Sequence, residues 1–114
     1  MSAVTTHVLD TARGQPAGGV PVALERRGTN GAWRLVGRGE TAADGRLRTL
    51  MADDVPLEPG TYRLVFHTAG YFAEQGLETL YPSIDVVFEA APGHARYHLP
   101  LLLSPFGYST YRGS

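Results

Sequence analysis

Hydrophobic and polar residues alternate with a period of two along most of the chain, which is the pattern of half-buried β-strands. In the first such segment, Val4, Thr6 and Val8 alternate with Thr5, His7 and Leu9, which would face the opposite way. The same alternation predicts strands over residues 4–9, 20–25, 33–41, 46–50, 61–67, 83–89, 97–103 and 108–112.

Turn-forming residues separate these strands. Residues 13–19 form a loop by composition, and Asp44-Gly45 supplies the positive φ that a tight hairpin requires. Residues 68–77 break the alternation and predict one short helix with Thr68 as its N-cap. Seven or eight short strands with one short helix predict an all-β, two-sheet sandwich, and the absence of repeats or linkers predicts a single domain over residues 1–114.

Composition agrees with a globular β-protein and excludes several partners. The 114 residues are 43% hydrophobic and 18% charged, with 14 glycines and 8 prolines that suit tight turns. The net charge is −1 and there are no runs of like charge, so the sequence lacks the cluster of basic residues that would bind nucleic acid or an anionic membrane. The longest apolar stretch is too short to span a bilayer, and no signal peptide is recognisable, so we expect a cytoplasmic location.

The composition also excludes several kinds of catalysis. The chain has no cysteine, which rules out a thiol nucleophile, a disulfide framework and a thiolate metal site. All ten basic residues are arginines, so a Schiff-base lysine is excluded as well. No Gly-x-Ser-x-Gly motif marks a serine nucleophile.

Two of the four histidines stand out because they lie within predicted strands. His94 lies in a loop, so we expect it at the surface, and His67 ends a strand just before the predicted helix, so we expect it to cap that helix or lie at the surface. A single histidine in a strand is most often structural, but His7 lies in the first predicted strand and His98 in the last but one, so the two come from opposite ends of the chain. Imidazole titrates near neutrality and can pass a proton between water and a leaving nitrogen.

An arginine and an aspartate bear on what these histidines do. Arg46 follows the Asp-Gly turn and could hold a planar, carbonyl-rich molecule through two parallel hydrogen bonds. A metal site is the alternative chemistry. It would need a third ligand beside His7 and His98, and the nearby sequence offers only Asp10, which alternation places on the other face of its strand.

The last strand is rich in tyrosine and hydroxyl side chains and ends in Tyr111-Arg112-Gly113-Ser114. Chain termini are normally frayed and rarely carry such a group of side chains. Because this terminus ends in a strand with tyrosine and arginine, we expect it to be held by sheet pairing or by a partner subunit.

Four segments together resemble the transthyretin-related family of 5-hydroxyisourate hydrolases, and the resemblance extends over the whole chain. They are Thr-His-Val-Leu-Asp at 6–10, Asp-Gly-Arg at 44–46, Tyr-His-Leu-Pro-Leu-Leu-Leu-Ser-Pro at 97–105 and Tyr-Arg-Gly-Ser at 111–114. The resemblance implies a transthyretin-like sandwich that forms a homotetramer with active sites at the dimer–dimer interface. It also implies hydrolysis of 5-hydroxyisourate to 2-oxo-4-hydroxy-4-carboxy-5-ureidoimidazoline in urate breakdown, without a cofactor or metal.

Carried onto this sequence, the resemblance implies that His7, Arg46 and His98 are catalytic and that Tyr111, Arg112, Gly113 and Ser114 bind substrate. In the mechanism that we hypothesise, His7 deprotonates water, and His98 orients that water or protonates the departing nitrogen. Arg46 would hold the substrate's oxygens. Thyroid-hormone carriers share the fold but lack this histidine pair and this ending. The alternative function is therefore a non-catalytic ligand carrier or a β-sandwich interaction module.

Overall fold

The computed structural model describes residues 2–114, and within that range the chain forms nine strands and one helix. The elements in chain order are β1 (Val4–Asp10), β2 (Gln15–Pro16), β3 (Pro21–Arg27), β4 (Trp33–Glu40), β5 (Arg46–Leu47), β6 (Gly60–Phe66), α1 (Ala69–Ala73), β7 (Ile84–Ala90), β8 (Tyr97–Ser104) and β9 (Gly107–Thr110). The predicted all-β class with one short helix is confirmed. No helix within this described range is long and apolar enough to cross a membrane.

The strands form two sheets. The first sheet has the order β2-β1-β8-β9, with β5 also paired to β1, and the second has the order β4-β3-β6-β7. β1 and β8 run parallel to each other, whereas the other strand pairs are antiparallel. The parallel pair matters for function because it brings the beginning of the chain beside a strand near its end.

Inward-facing side chains from both sheets form one hydrophobic cluster. Alternation along β1 buries Val4 and Val8, and β8 contributes Leu101 and Leu103 from the same sheet. Full burial of one such side chain stabilises the fold by roughly 1.5–3 kcal/mol. The opposing sheet and the helix complete the cluster with Val22, Leu24, Tyr62, Leu64, Phe66, Phe72 and Ile84.

The helix is shorter than the alternation break predicts. α1 ends at Ala73, and Gly76, with a φ of 69°, closes the following turn by donating its amide to the Ala73 carbonyl over 3.0 Å. Thr68 occupies the N-cap position, as predicted. Its hydroxyl, however, donates to the carbonyl of Tyr81 over 2.7 Å instead of capping the helix.

The strand limits differ from the prediction at several places. The loop at residues 13–19 contains the short strand β2, and the predicted strand at residues 46–50 is reduced to β5. β9 ends at Thr110, so Tyr111 and Arg112 lie beyond it. The reason is that Thr110 pairs with Leu101, and the next residue of β8 is Pro100, which has no amide hydrogen to continue the ladder.

Candidate active site

The solvent-facing side of the first sheet carries the predicted catalytic residues. Along β1 the even-numbered residues are buried, whereas Thr5 and His7 face outward and are half-buried. His7 pairs with Arg46 of β5 on one side, and Thr5 pairs with His98 of β8 on the other. Because directly paired residues share one face of a sheet, the fold brings both imidazoles and the guanidinium to the same surface.

His98 is held by a hydrogen bond and has an altered pKa. Its Nδ1 lies 2.8 Å from the hydroxyl oxygen of Thr5. Burial lowers the pKa of His98 below its usual value of 6.5, and the positive charge of Arg46, with smaller effects from His7 and Arg48, lowers it further. The ring is therefore mainly neutral near pH 7, which is the form in which an imidazole can accept a proton.

The orientation of His7 is set by the turn before β5. Its Nε2 lies 2.8 Å from the backbone oxygen of Asp44. Because a carbonyl oxygen can only accept, Nε2 carries the hydrogen and Nδ1 holds the lone pair of the neutral ring. Gly45, with a φ of 80°, lets this turn approach β1, since a Cβ at Gly45 would lie only 2.3 Å from the carbonyl oxygen of Val8.

The Asp44 side chain holds the start of β5 in place. Its Oδ1 accepts the backbone amide of Arg46 over 3.0 Å, and its Oδ2 lies 4.0 Å from Nη1 of Arg48. The hydrogen bond from the Arg46 amide is the main cause that lowers the pKa of Asp44. The carboxylate therefore stays charged and anchors the strand that carries Arg46.

A small polar cavity opens beside these residues. It has a volume of about 150 Å³ and is lined by Thr5, Thr6, Arg46, Arg48, His98 and Ser114. Since one water molecule occupies about 30 Å³ in the liquid, the cavity can hold a few waters or part of a small ring. A guanidinium beside a neutral imidazole suits a carbonyl or carboxylate oxygen with a water molecule next to it.

Two of the four predicted tail residues lie at the site: Gly113, which contacts His98, and Ser114. The amide of Gly113 donates to the backbone oxygen of His98 over 2.7 Å, and Ser114 lines the cavity. The contact with Gly113 is so close that a Cβ there would lie 2.6 Å from Cδ2 of the His98 ring. Only glycine therefore fits beside the imidazole in this arrangement.

The other two tail residues lie outside the small cavity. Tyr111 is 54% exposed. The guanidinium of Arg112 stacks on the ring of Tyr97 at 4.3 Å, and its Nη2 donates to the backbone oxygen of Arg96 over 3.2 Å. Arg112 lines an adjoining recess of about 420 Å³, to which His98 also contributes.

Sequence reasoning missed Thr5 and Arg48. Both line the small cavity, Thr5 through its contact with His98 and Arg48 as a second guanidinium beside Arg46. The alternation could have identified both, because residues two apart in a strand lie on the same face: Thr5 lies two residues before His7, and Arg48 lies two residues after Arg46.

The metal alternative lacks a third ligand in the described part of the chain. Asp10 is buried, and its carboxylate accepts hydrogen bonds from the Tyr71 hydroxyl (2.7 Å) and the Arg13 amide (3.0 Å), away from His7. Within residues 2–114, no three His, Cys, Asp or Glu side chains lie close enough together to hold a metal ion.

A larger recess lies elsewhere, between residues 53–59 and 91–96, with a volume of about 610 Å³. Its imidazole, His94, is exposed, and Nδ1 of that ring lies 3.4 Å from Nη2 of Arg112. His67 is also exposed, which confirms the surface position predicted for His94 and the surface alternative for His67. We place the candidate site at the smaller cavity because the two strand histidines and Arg46 meet on that face.

Comparison with known proteins identifies relatives over almost the whole chain. The sequence pattern of the HIUase/Transthyretin family matches residues 4–113. The 5-hydroxyisourate hydrolase of Mus musculus is 44% identical over 114 residues, covering 99% of this chain and 96% of that protein. The 5-hydroxyisourate hydrolase of Salmonella typhimurium is 44% identical over 111 residues, covering 97% of this chain and 80% of that protein.

Solved structures give the same result. The 5-hydroxyisourate hydrolase of Klebsiella pneumoniae superimposes with a TM-score of 0.86 at 39% identity, covering 100% of both chains. Transthyretin from Sparus aurata superimposes with a TM-score of 0.89 at 35% identity, covering 99% of this chain and 97% of that chain. The predicted transthyretin-like sandwich is thus confirmed, and the chain belongs to the HIUase/Transthyretin family.

Proposed function

We propose that this chain is an enzyme that hydrolyses 5-hydroxyisourate to 2-oxo-4-hydroxy-4-carboxy-5-ureidoimidazoline in urate breakdown. Relatives that carry the name 5-hydroxyisourate hydrolase, at 44% identity, support this assignment. The observation that carries it is the grouping of His98, Arg46 and Ser114 around one cavity, with His7 on the same face of the sheet.

His98 takes the proton from water in this proposal. Hydrolysis of a ring amide needs a base for water, positive charge for the developing oxyanion and a proton for the departing nitrogen. His98 lines the cavity, and its lowered pKa keeps the ring neutral near pH 7. A positioned base of this kind contributes roughly 10²–10⁴-fold in rate.

Arg46 binds the carbonyl oxygen that becomes negatively charged. Its guanidinium stays protonated and offers parallel N–H donors, which suit the oxygens of a planar substrate. The carboxylate of Asp44 supports this role by holding the Arg46 backbone amide.

His7, once it has taken a proton from solvent on Nδ1, donates that proton to the departing ring nitrogen, and His98 releases the proton from water to solvent before the next turnover. The Asp44 carbonyl accepts the Nε2 hydrogen, which leaves Nδ1 as the nitrogen that gains and donates the proton. The proposal exchanges the two histidine roles that the sequence alone suggested. Its support is that His98 lines the small cavity, whereas Nε2 of His7 is hydrogen-bonded to the backbone oxygen of Asp44.

The proposed assembly is a cytoplasmic homotetramer with its active sites at the dimer–dimer interface. The outer face of the first sheet is open in the single chain, and Tyr111 is largely exposed there. A second subunit over this face would enlarge the small cavity, and Tyr111 and Arg112 would contact substrate with Gly113 and Ser114. Light scattering coupled to gel filtration tests the tetramer, and fractionation of the native cells tests the location.

The test of function uses substrate made in situ by urate oxidase, with the decay of its ultraviolet absorption as the readout. We expect hydrolysis well above the spontaneous rate, a loss of roughly 10²–10⁴-fold in H98N and H7N, and undiminished activity with a chelator. The matched control is H67N, since His67 is exposed and lies outside the first sheet. Wild-type rates in both H7N and H98N would refute the catalytic assignment.

The same measurement decides between the enzyme and a non-catalytic carrier. The fold does not separate them, because a transthyretin superimposes as well as a hydrolase does. A carrier would leave 5-hydroxyisourate to decay at its spontaneous rate.

A further inference from the structure

The mechanism above gives no role to the hydroxyl of Thr5. This hydroxyl faces outward on β1, directly opposite His98, and its oxygen lies 2.8 Å from Nδ1 of the ring. The neighbouring Thr6 points inward, and its hydroxyl donates to the backbone oxygen of Leu99 over 2.6 Å. The two adjacent threonines therefore do different things, and only Thr5 contacts the imidazole.

A hydrogen bond at one ring nitrogen determines what the other nitrogen can do. In a neutral imidazole one nitrogen carries the hydrogen and the other holds the lone pair, and the partner of one nitrogen selects the arrangement. If Thr5 accepts a hydrogen from Nδ1 of His98, the lone pair resides on Nε2. His7 has the opposite arrangement, because the Asp44 carbonyl requires the hydrogen on Nε2.

We infer that Thr5 is a positioning residue, whose hydroxyl accepts Nδ1–H of His98 and so leaves the Nε2 lone pair to take the proton from water. This inference rests on the proposed function, in which His98 is the base. A ring turned by 180° about its Cβ–Cγ bond would place carbon Cδ2 against the Thr5 hydroxyl and lose the hydrogen bond. The hydroxyl therefore also selects the ring orientation.

Gly113 restrains the other edge of the same ring. Its Cα lies so close to His98 that a Cβ would come within 2.6 Å of Cδ2. Cδ2 is bonded to Nε2, so the edge that carries the basic nitrogen is confined by the tail while Thr5 holds Nδ1. With only one of these two contacts, the ring could still tilt about that contact; with both, its position is fixed.

The experiment compares Thr5→Val, which keeps the shape and removes the hydroxyl, with Thr5→Ser, which keeps the hydroxyl. The matched control is Thr61→Val, because Thr61 lies on a strand of the second sheet, where its hydroxyl donates to Glu89. Activity is measured on in situ substrate, and the two ring nitrogens of His98 are followed by ¹⁵N NMR in the free protein.

We expect kcat to fall about tenfold in Thr5→Val with KM within a factor of two, and to recover to within threefold in Thr5→Ser. In wild type the neutral His98 ring should carry its hydrogen on Nδ1, and Thr5→Val should change that nitrogen pattern whereas Thr61→Val should not. Wild-type kcat in Thr5→Val, or a hydrogen on Nε2 in the neutral wild-type ring, would overturn the inference.

The two readouts separate this inference from the proposed function. A wild-type protein that does not accelerate hydrolysis refutes the function, whatever the NMR result. An active wild-type protein whose Thr5→Val variant keeps full kcat refutes only the role of Thr5.

Discussion

Replacing Gly113 with alanine tests whether the tail determines the position of His98. The added Cβ would lie 2.6 Å from Cδ2 of the imidazole, 3.4 Å from the backbone oxygen of His98 and 3.4 Å from Cδ of Pro100. Carbon atoms in contact are about 3.5–4.0 Å apart, so the tail and the ring must separate by roughly 1 Å. Pro100 and the backbone oxygen leave the new methyl group little room on their sides, so the ring is what moves.

The size of the effect follows from that displacement. A misplacement of about 1 Å in a catalytic group can lower the rate by roughly a hundredfold. We expect kcat/KM of the Gly113→Ala variant to fall by about tenfold to a hundredfold. Stability should fall by only about 1 kcal/mol, because Gly113 lies beyond β9 and the new contact strains one half-buried side chain rather than the core.

The assay pairs this variant with Gly107→Ala on the same sheet. A Cβ at Gly107 would meet only the Ser104 hydroxyl oxygen at 3.6 Å, an ordinary contact, so this control should keep wild-type activity. Hydrolysis of in situ substrate gives kcat/KM, and thermal unfolding should place both variants within about 5 °C of wild type. Full activity in Gly113→Ala with an unchanged melting temperature would refute the packing argument.

Three further predictions concern charge, the tail and the core. Replacing Arg48 with glutamine removes a positive charge that lowers the pKa of His98. Because activity is lost as pH falls through that pKa, the acidic limb of kcat/KM should move to higher pH in this variant. An unmoved limb would contradict the electrostatic reasoning. Deleting residues 111–114 removes the Gly113 and Ser114 contacts but no strand; kcat/KM should drop by at least about tenfold with an unchanged far-ultraviolet circular dichroism spectrum, and a fully active truncation would exclude the tail from the site. Tyr71→Phe takes a donor from the buried Asp10 carboxylate and should lower the free energy of unfolding in urea by about 1–3 kcal/mol, so an unchanged urea midpoint would count against that hydrogen bond.

Local patterns predicted the faces of the strands correctly. Period-two alternation placed Val4 and Val8 on the opposite face of the first strand from His7, because successive side chains of any strand point to opposite faces. The Asp44-Gly45 turn was equally predictable, since a tight turn of this kind needs a positive φ, and Gly45 has a φ of 80°. The alternation failed where a distant partner set the limit, as at the end of β9 opposite Pro100.

The amino-acid sequence by itself thus determined the fold class, the placement of His7 and His98 within strands, and the chemistry excluded by the absence of cysteine and lysine. Only the tertiary structure decided which ring nitrogens are bound, because these contacts join residues far apart in the chain: Thr5 with His98 and His7 with the Asp44 carbonyl, at separations of 93 and 37 residues. Such contacts depend on the parallel register of β1 and β8 and on the approach of the turn to β1. The register and the approach of the turn depend in turn on how both sheets pack around the common core, which no local pattern encodes.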